Sequence, residues 1–199
     1  CLKIGHVVIM ETSPFSFCGE KLSEDELNHI KFQNQLVGNE GPFQQANIYY
    51  DCNELEKAVE FYKKFIEQVE KSPSQEEENL AISYNNLGLI HGELGDYKTA
   101  LDFHSKALKI KEEIFVENDP SIAVSHNILG STYQSLKEYK KSIEHHKKAL
   151  EIRLRIYKEP HVDTAASYNN LGFVYENMEA YNKSLQLYFT AYNMDKAVY

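Results

Sequence analysis

The sequence repeats itself every 42 residues, and this period limits the fold more than any other feature. Residues 81–122 and 123–164 align without a gap and are identical at fifteen of forty-two positions. Residues 165–199 continue the same register, and residues 40–80 form a weaker copy in which Ala46 stands where the later copies have glycine. A period of this length is typical of proteins whose units bury their apolar faces only against neighbouring units. We therefore expect four repeats, at about 40–80, 81–122, 123–164 and 165–199.

Three residue types return at fixed positions of the period. They are glycine (Gly88, Gly130, Gly172), tyrosine (Tyr97, Tyr139, Tyr181) and alanine (Ala107, Ala149, Ala191). Glycine within a helix costs about 1 kcal/mol relative to alanine, so its return at one position favours close packing of two helices. We expect the tyrosines to fill the space between neighbouring repeats.

Each repeat has the pattern of two helices joined by a turn. From Tyr84 to Leu94 the apolar and small residues are spaced by three and four, and a second stripe of this spacing begins at Tyr97. Gly95-Asp96 lies between the two stripes as a break signal. Asp119-Pro120 supplies an N-cap carboxylate followed by proline at the first helical position. These signals predict an all-α superhelix, or solenoid, of helix-turn-helix repeats.

The combined motif resembles a known repeat family. Tyr84-Asn85-Asn86-Leu87-Gly88, followed by Gly95-Asp96-Tyr97 and by Ala107-Leu108, resembles the tetratricopeptide repeat. The 42-residue period and the long second helix resemble the kinesin-light-chain type of that family, and the connector at 118–123 is similar to the one in that type. The resemblance covers about residues 40–199 and implies a module that binds other proteins in a concave groove.

One asparagine per repeat recurs on the expected inner wall of this superhelix, which the first helices form. Asn85, Asn127 and Asn169 make up this asparagine column. An amide carries both a donor and an acceptor, which suits a peptide backbone, and the resemblance implies contact with cargo-peptide backbones at this column. The alternative is that these amides bond a neighbouring helix or water. The peptide-binding residues that we expect are Asn85, Asn127, Asn169, Leu89, Glu93, Gln134, Phe173 and Asn177.

Charge on the same wall restricts the ligand. The inner positions include Glu93 and Glu176 but neither lysine nor arginine. We therefore expect a protein or peptide partner that is neutral or mildly basic, with an apolar anchor received by Leu89 or Phe173. Packing of Phe173 between repeats is the competing interpretation. The basic residues concentrate at 137–158, in a second helix, and we expect them on the outer, convex surface.

Several functional classes are disfavoured by composition. A net charge of −9 argues against a nucleic-acid partner, and no apolar run is long enough to span a membrane. His145 and His146 point about 100° apart on a helix and lack metal-chelating spacing. No phosphate-binding loop or nucleophile elbow is present. We therefore predict no metal, no cofactor and no catalysis. Three cysteines, an odd number, favour free thiols and a cytoplasmic location.

Two questions stay open at the ends of the sequence. Residues 1–39 are unassigned and are interpreted as the tail of a preceding domain, a cap or a degenerate repeat. The final helix is apolar at Leu185, Tyr188 and Phe189, so an alternative function is a structural segment that self-associates through its C-terminal end. Such a segment would belong to a longer protein. In one form of this alternative, that protein also contains a catalytic or signalling domain outside this sequence.

Overall fold

The computed structural model describes residues 41–72 and 76–198. The segment 1–39, with the three interpretations given to it, lies outside the described residues. Residues 40–199 belong to one compact unit. Every regular element in the described part is a helix, and the bounds are α1 (Pro42–Asp51), α2 (Leu55–Lys71), α3 (Glu77–Glu93), α4 (Tyr97–Ile114), α5 (Pro120–Ser135), α6 (Tyr139–Ile156), α7 (Val162–Asn177) and α8 (Tyr181–Val198).

The helices pack as successive antiparallel pairs. α1 packs on α2, α3 on α4, α5 on α6 and α7 on α8, and each pair contacts the next through α2–α3, α4–α5 and α6–α7. The first helices α5 and α7 also contact each other. This order confirms the predicted all-α array of helix-turn-helix repeats.

Local chemistry explains where the helices begin. The Asp96 carboxylate accepts a hydrogen bond from the Thr99 amide at 3.2 Å and so caps α4. Asp119 accepts one from the Ser121 amide at 2.8 Å and caps α5, with Pro120 as the first helical residue, as the sequence predicts. These caps satisfy amide groups that have no partner within their own helix.

The turn inside each repeat uses one left-handed residue, always at the same position of the period. These residues are Asn53, Gly95, Lys137 and Glu179, with φ of 57°, 78°, 60° and 60°. Only Gly95 adopts this conformation without the steric cost of a Cβ atom. The recurrence shows that the sharp reversal between paired helices is a property of the repeat and does not depend on glycine.

The recurring glycines lie directly beneath a ring of the paired helix. A Cβ atom at Gly88 would lie 2.5 Å from Cε1 of His104, and one at Gly130 would lie 2.6 Å from Cε1 of His146. At Gly172 the opposing ring belongs to Tyr188. Alanines 107, 149 and 191 are buried in the second helices. Small residues at these positions therefore let the two helices of a repeat pack closely.

The recurring tyrosines differ from expectation. Tyr97 and Tyr181 are exposed and Tyr139 is half-buried, because each is the first residue of a second helix and lies beside the turn. A different tyrosine, Tyr62, is fully buried at a repeat junction. Its hydroxyl donates to Asn47 Oδ1 of α1 and accepts from Asn86 Nδ2 of α3, both at 2.6 Å.

Candidate functional site

The first helices of the last three repeats carry equivalent stripes of side chains spaced by four residues. The stripes are Asn85, Leu89 and Glu93 on α3; Asn127, Ser131 and Ser135 on α5; and Asn169, Phe173 and Asn177 on α7. Residues four apart lie on the same helix face. All three are exposed on α7, whereas the asparagine and the leucine on α3 are half-buried. We call these nine residues the groove stripes.

The three members of the asparagine column have different surroundings. In the amide orientation that satisfies both neighbours, Asn127 Nδ2 donates to His146 Nδ1 at 3.2 Å, and its oxygen accepts from Arg153 Nη2 at 3.1 Å. Asn85 and Asn169 make no side-chain hydrogen bond with any described residue. The internal alternative therefore applies to Asn127.

Electrostatics support the internal role of Asn127. Burial, together with the nearby charges of His145 and Arg153, lowers the pKa of His146 to about 4. The imidazole is therefore neutral near pH 7 and can accept a hydrogen bond at Nδ1. Donation by the Asn127 amide fixes this tautomer.

Arg153 corrects the expectation that the basic residues at 137–158 lie on the outer surface. Only 8% of Arg153 is exposed. Its Nη1 donates to the Asp163 carbonyl at 2.6 Å and to Ser167 Oγ at 2.9 Å, both on α7. The expectation is wrong for Arg153 because its side chain points into the junction between α6 and α7, where the guanidinium also contacts Asn127 of α5. The lysines of the same run, for example Lys140 and Lys147, are exposed as expected.

The remaining expected site residues differ in accessibility. Phe173 is 54% exposed although its neighbours Leu171 and Val174 are buried. Glu93 and Asn177 are exposed and Gln134 is half-buried. Asn177 Nδ2 donates to the carbonyl of Phe173 at 2.8 Å, within its own helix.

A carboxylate lies next to the stripe of α7. Glu176 Oε2 accepts from the Tyr188 hydroxyl at 2.7 Å. Burial, and then the hydrogen bond to Glu176, raise the pKa of Tyr188 to about 12, so the phenol stays protonated and remains a donor. This part of the surface can hydrogen-bond a backbone through Asn169 and can contact an apolar side chain through Phe173.

The sequence profile of the tetratricopeptide repeat matches residues 42–113 and 121–197. The chain belongs to the tetratricopeptide repeat family. No curated protein sequence matches the chain significantly. The two matched segments include nearly all of the eight described helices and leave out the connector between α4 and α5.

Solved structures with the same fold include tetratricopeptide arrays of the kinesin-light-chain type. BtubC (BKLC) from P. vanneervenii has a TM-score of 0.72 at 23% identity, over 88% of this chain and 73% of that one. The nearly identical TPR-like repeats of a kinesin light chain protein from Podosopora anserina give 0.63 at 17% identity, over 75% and 71%. The apo form of RapI gives 0.66 at 20% identity, over 86% of this chain and 48% of that one. At these identities the likeness concerns the fold.

The described tetratricopeptide helices lack two features, a cluster of metal-ligating side chains and a membrane-spanning length. Within residues 41–72 and 76–198, no group of three His, Cys, Asp or Glu side chains is arranged to hold a metal ion. No helix in this same part of the chain has the length and apolarity needed to cross a membrane.

Sequence reasoning missed the roles of Asn86 and Arg153 at the repeat junctions. The sequence does carry a signal for the junction role of Arg153, because Lys111 and Arg153 occupy the same position of the period. Lys111 Nζ donates to the Ser121 carbonyl at 3.4 Å, so both cations reach the beginning of the next first helix. Their common position in a long second helix could have indicated a junction contact.

Proposed function

We propose that this tetratricopeptide array is a protein-interaction module that binds a peptide or helical segment of a partner along the groove stripes. In this role it acts as an adaptor or scaffold, and its contribution is binding rather than catalysis. The site comprises Asn85 and Leu89 on α3 with Asn169, Phe173 and Asn177 on α7. Asn127, between them, holds the helices together.

Phe173 carries this proposal. It is more than half exposed in the middle of a stripe whose other members are amides. An exposed aromatic between two hydrogen-bonding side chains supports a ligand that inserts an apolar residue and bonds through its backbone. Leu89 occupies the same place on α3, which gives a second apolar contact two repeats away.

The charges of the stripes support a neutral or mildly basic partner. Glu93 and Glu176 are exposed near the amides, and the nine stripe residues include no lysine or arginine. Arg153 lies behind Asn127 and is engaged with α7. An acidic peptide would therefore meet carboxylates without an exposed cation to balance them. The odd number of cysteines in the sequence supports action in a reducing compartment such as the cytoplasm.

Titration of fluorescent peptides tests this function. The panel consists of neutral, basic and acidic peptides, each with one leucine or phenylalanine, and binding is followed by anisotropy. We expect neutral and basic peptides to bind more tightly than acidic ones. Phe173→Ala should weaken the tightest peptide about tenfold, or about 1.4 kcal/mol, and Asn169→Ala should weaken it by about half that free energy.

Two substitutions outside the stripes serve as controls. Val116→Ala and Asn118→Ala change an exposed apolar residue and an exposed amide in the connector between α4 and α5. Both should bind like the unchanged chain. If Phe173→Ala binds as tightly as Val116→Ala, the groove stripes are not the binding site.

A further inference from the structure

We propose that the outer face of α8 is a second interaction surface, which binds the same face of another copy of this chain. The face consists of Tyr181, Leu185, Phe189 and Tyr192, which are 63%, 69%, 63% and 62% exposed. Their spacing of four, four and three residues places them on one side of the helix. This surface lies apart from the groove stripes, so it extends the proposed function.

Comparison with the other second helices separates this face from an ordinary repeat junction. Residues at the positions of Leu185 and Tyr192 are partly or fully buried in α2, α4 and α6: Val59, Leu101, Ile143, Ile66, Leu108 and Leu150. The position of Phe189 holds Lys63, Ser105 and Lys147, which stay exposed although a further repeat packs on each of those helices. A further repeat packed on α8 in the same way would therefore leave Phe189 exposed to solvent. Phe189 is therefore open to a partner other than a further repeat.

A second difference lies near the end of α8. Lys111 and Arg153 donate to a backbone carbonyl at the beginning of the next first helix, whereas the corresponding residue of α8 is Asp195. A carboxylate cannot donate this hydrogen bond. The contact that joins α4 to α5 and α6 to α7 is therefore not available to α8, as it is not to α2, which has Val69 at this position and still packs on α3.

The charge distribution of α8 permits a second copy as the partner. The chain carries a net charge of −9, so two copies repel each other unless they meet through a surface with few carboxylates. The acidic residue of α8 is Asp195, its basic residues are Lys183 and Lys196, and uncharged Asn182 and Gln186 flank the apolar face. This face therefore brings two acidic molecules together without placing carboxylates opposite each other.

The face is also complementary to itself. When two α8 helices pair antiparallel about a two-fold axis near Phe189, Leu185 of one copy lies opposite Tyr192 of the other, and Tyr181 lies opposite Lys196. The first pair is apolar, and the second places a cation over an aromatic ring. Four side chains of this size that are about two-thirds exposed can bury roughly 400–600 Å² of surface per copy. The flanking amides increase this area toward the roughly 800 Å² per partner that is typical of a stable interface.

Sedimentation velocity of the 199-residue chain tests the proposal. We expect monomers at about 1 μM and dimers at about 100 μM, as for an interface of modest size. Phe189→Lys installs the residue that α2 and α6 carry at this position, so the helical circular dichroism spectrum should not change. This substitution should weaken dimerisation at least tenfold, and Leu185→Lys should do the same.

Leu94→Lys is the matched control, because Leu94 is 68% exposed in the turn that follows α3 and lies outside the α8 face. It should dimerise like the unchanged chain. A chain that stays monomeric at about 100 μM would overturn the proposal, since the face would then serve a different partner. Equal effects of Leu94→Lys and Phe189→Lys would also overturn it.

Discussion

At the scale of single residues, the glycine positions set how closely paired helices approach. Gly130→Ala would place a methyl group 2.6 Å from Cε1 of His146. The ring is fully buried and bonded to Asn127, so it cannot move aside without breaking that contact. We expect the free energy of unfolding in urea to fall by about 1–3 kcal/mol.

Gly92→Ala is the control for this prediction. A Cβ atom there would have the Cβ of Ala100 as its nearest neighbour, at 4.0 Å. Alanine is the better helix former by about 1 kcal/mol, so the unfolding free energy should rise by up to that amount. A loss of stability in both variants would show that helix packing is not the reason for glycine at position 130.

Buried histidines make stability depend on pH. Burial is the main cause that lowers the pKa values of His104, His126 and His146 from 6.5 to about 4. Between these values the unfolded chain binds more protons than the folded one, so acid favours unfolding. The stabilising contribution is full above pH 6.5 and is lost as the pH falls toward 4. The urea midpoint should decrease through this window.

A substitution at position 104 isolates one of these groups. The Nδ1 atom of His104 is buried and has no hydrogen-bond partner among the described residues, so an apolar ring leaves no group unsatisfied there. His104→Phe should keep or raise the unfolding free energy at pH 7 and reduce its decrease between pH 6.5 and 4. The same decrease as in the unchanged chain would show that His104 is not protonated on unfolding.

At the scale of helices, the junction between α6 and α7 depends on Arg153. Arg153→Leu removes the donors to the Asp163 carbonyl and to Asn127 and should cost about 2–3 kcal/mol. Because repeats contact only their neighbours, amide hydrogen exchange should accelerate in α7 and α8 and stay unchanged in α1 and α2.

Arg155→Leu is the matched control on the same helix. Arg155 is exposed and its ion pair with Glu117, at 2.8 Å, lies on the surface. Pairs of this kind contribute little, so exchange in α7 should not change. If the two variants behave alike, the buried guanidinium does not hold the junction.

The sequence predicts helices better than it predicts the contacts of single side chains. The 42-residue period and the cap at Asp119 indicate the pairs and their beginnings, because helix faces and caps depend on residues close in sequence. The asparagine column is different, since its neighbours come from the second helix. Asn127 contacts His146 and Arg153, and at the same two positions of the period the second repeat has His104 and Lys111 and the fourth has Tyr188 and Asp195. Identical amides thus acquire different roles.

At the scale of the whole array, two surfaces have separate roles in our account. The groove stripes on α3, α5 and α7 receive a partner segment, and the outer face of α8 joins two copies. The internal junctions, with Tyr62 at one and Arg153 at another, keep the stripes in register. Binding at the stripes is the central claim, because it gives the array its function.

Amide chemical-shift mapping tests this claim most directly. The tightest neutral or basic peptide from the panel is added to isotope-labelled chain, and the perturbed residues are located. We predict the largest changes at Asn85, Leu89, Asn169 and Phe173, with little change at the exposed Lys140 and Lys147 of α6. Changes confined to α6 or to the outer face of α8, with none in the groove stripes, would contradict the account.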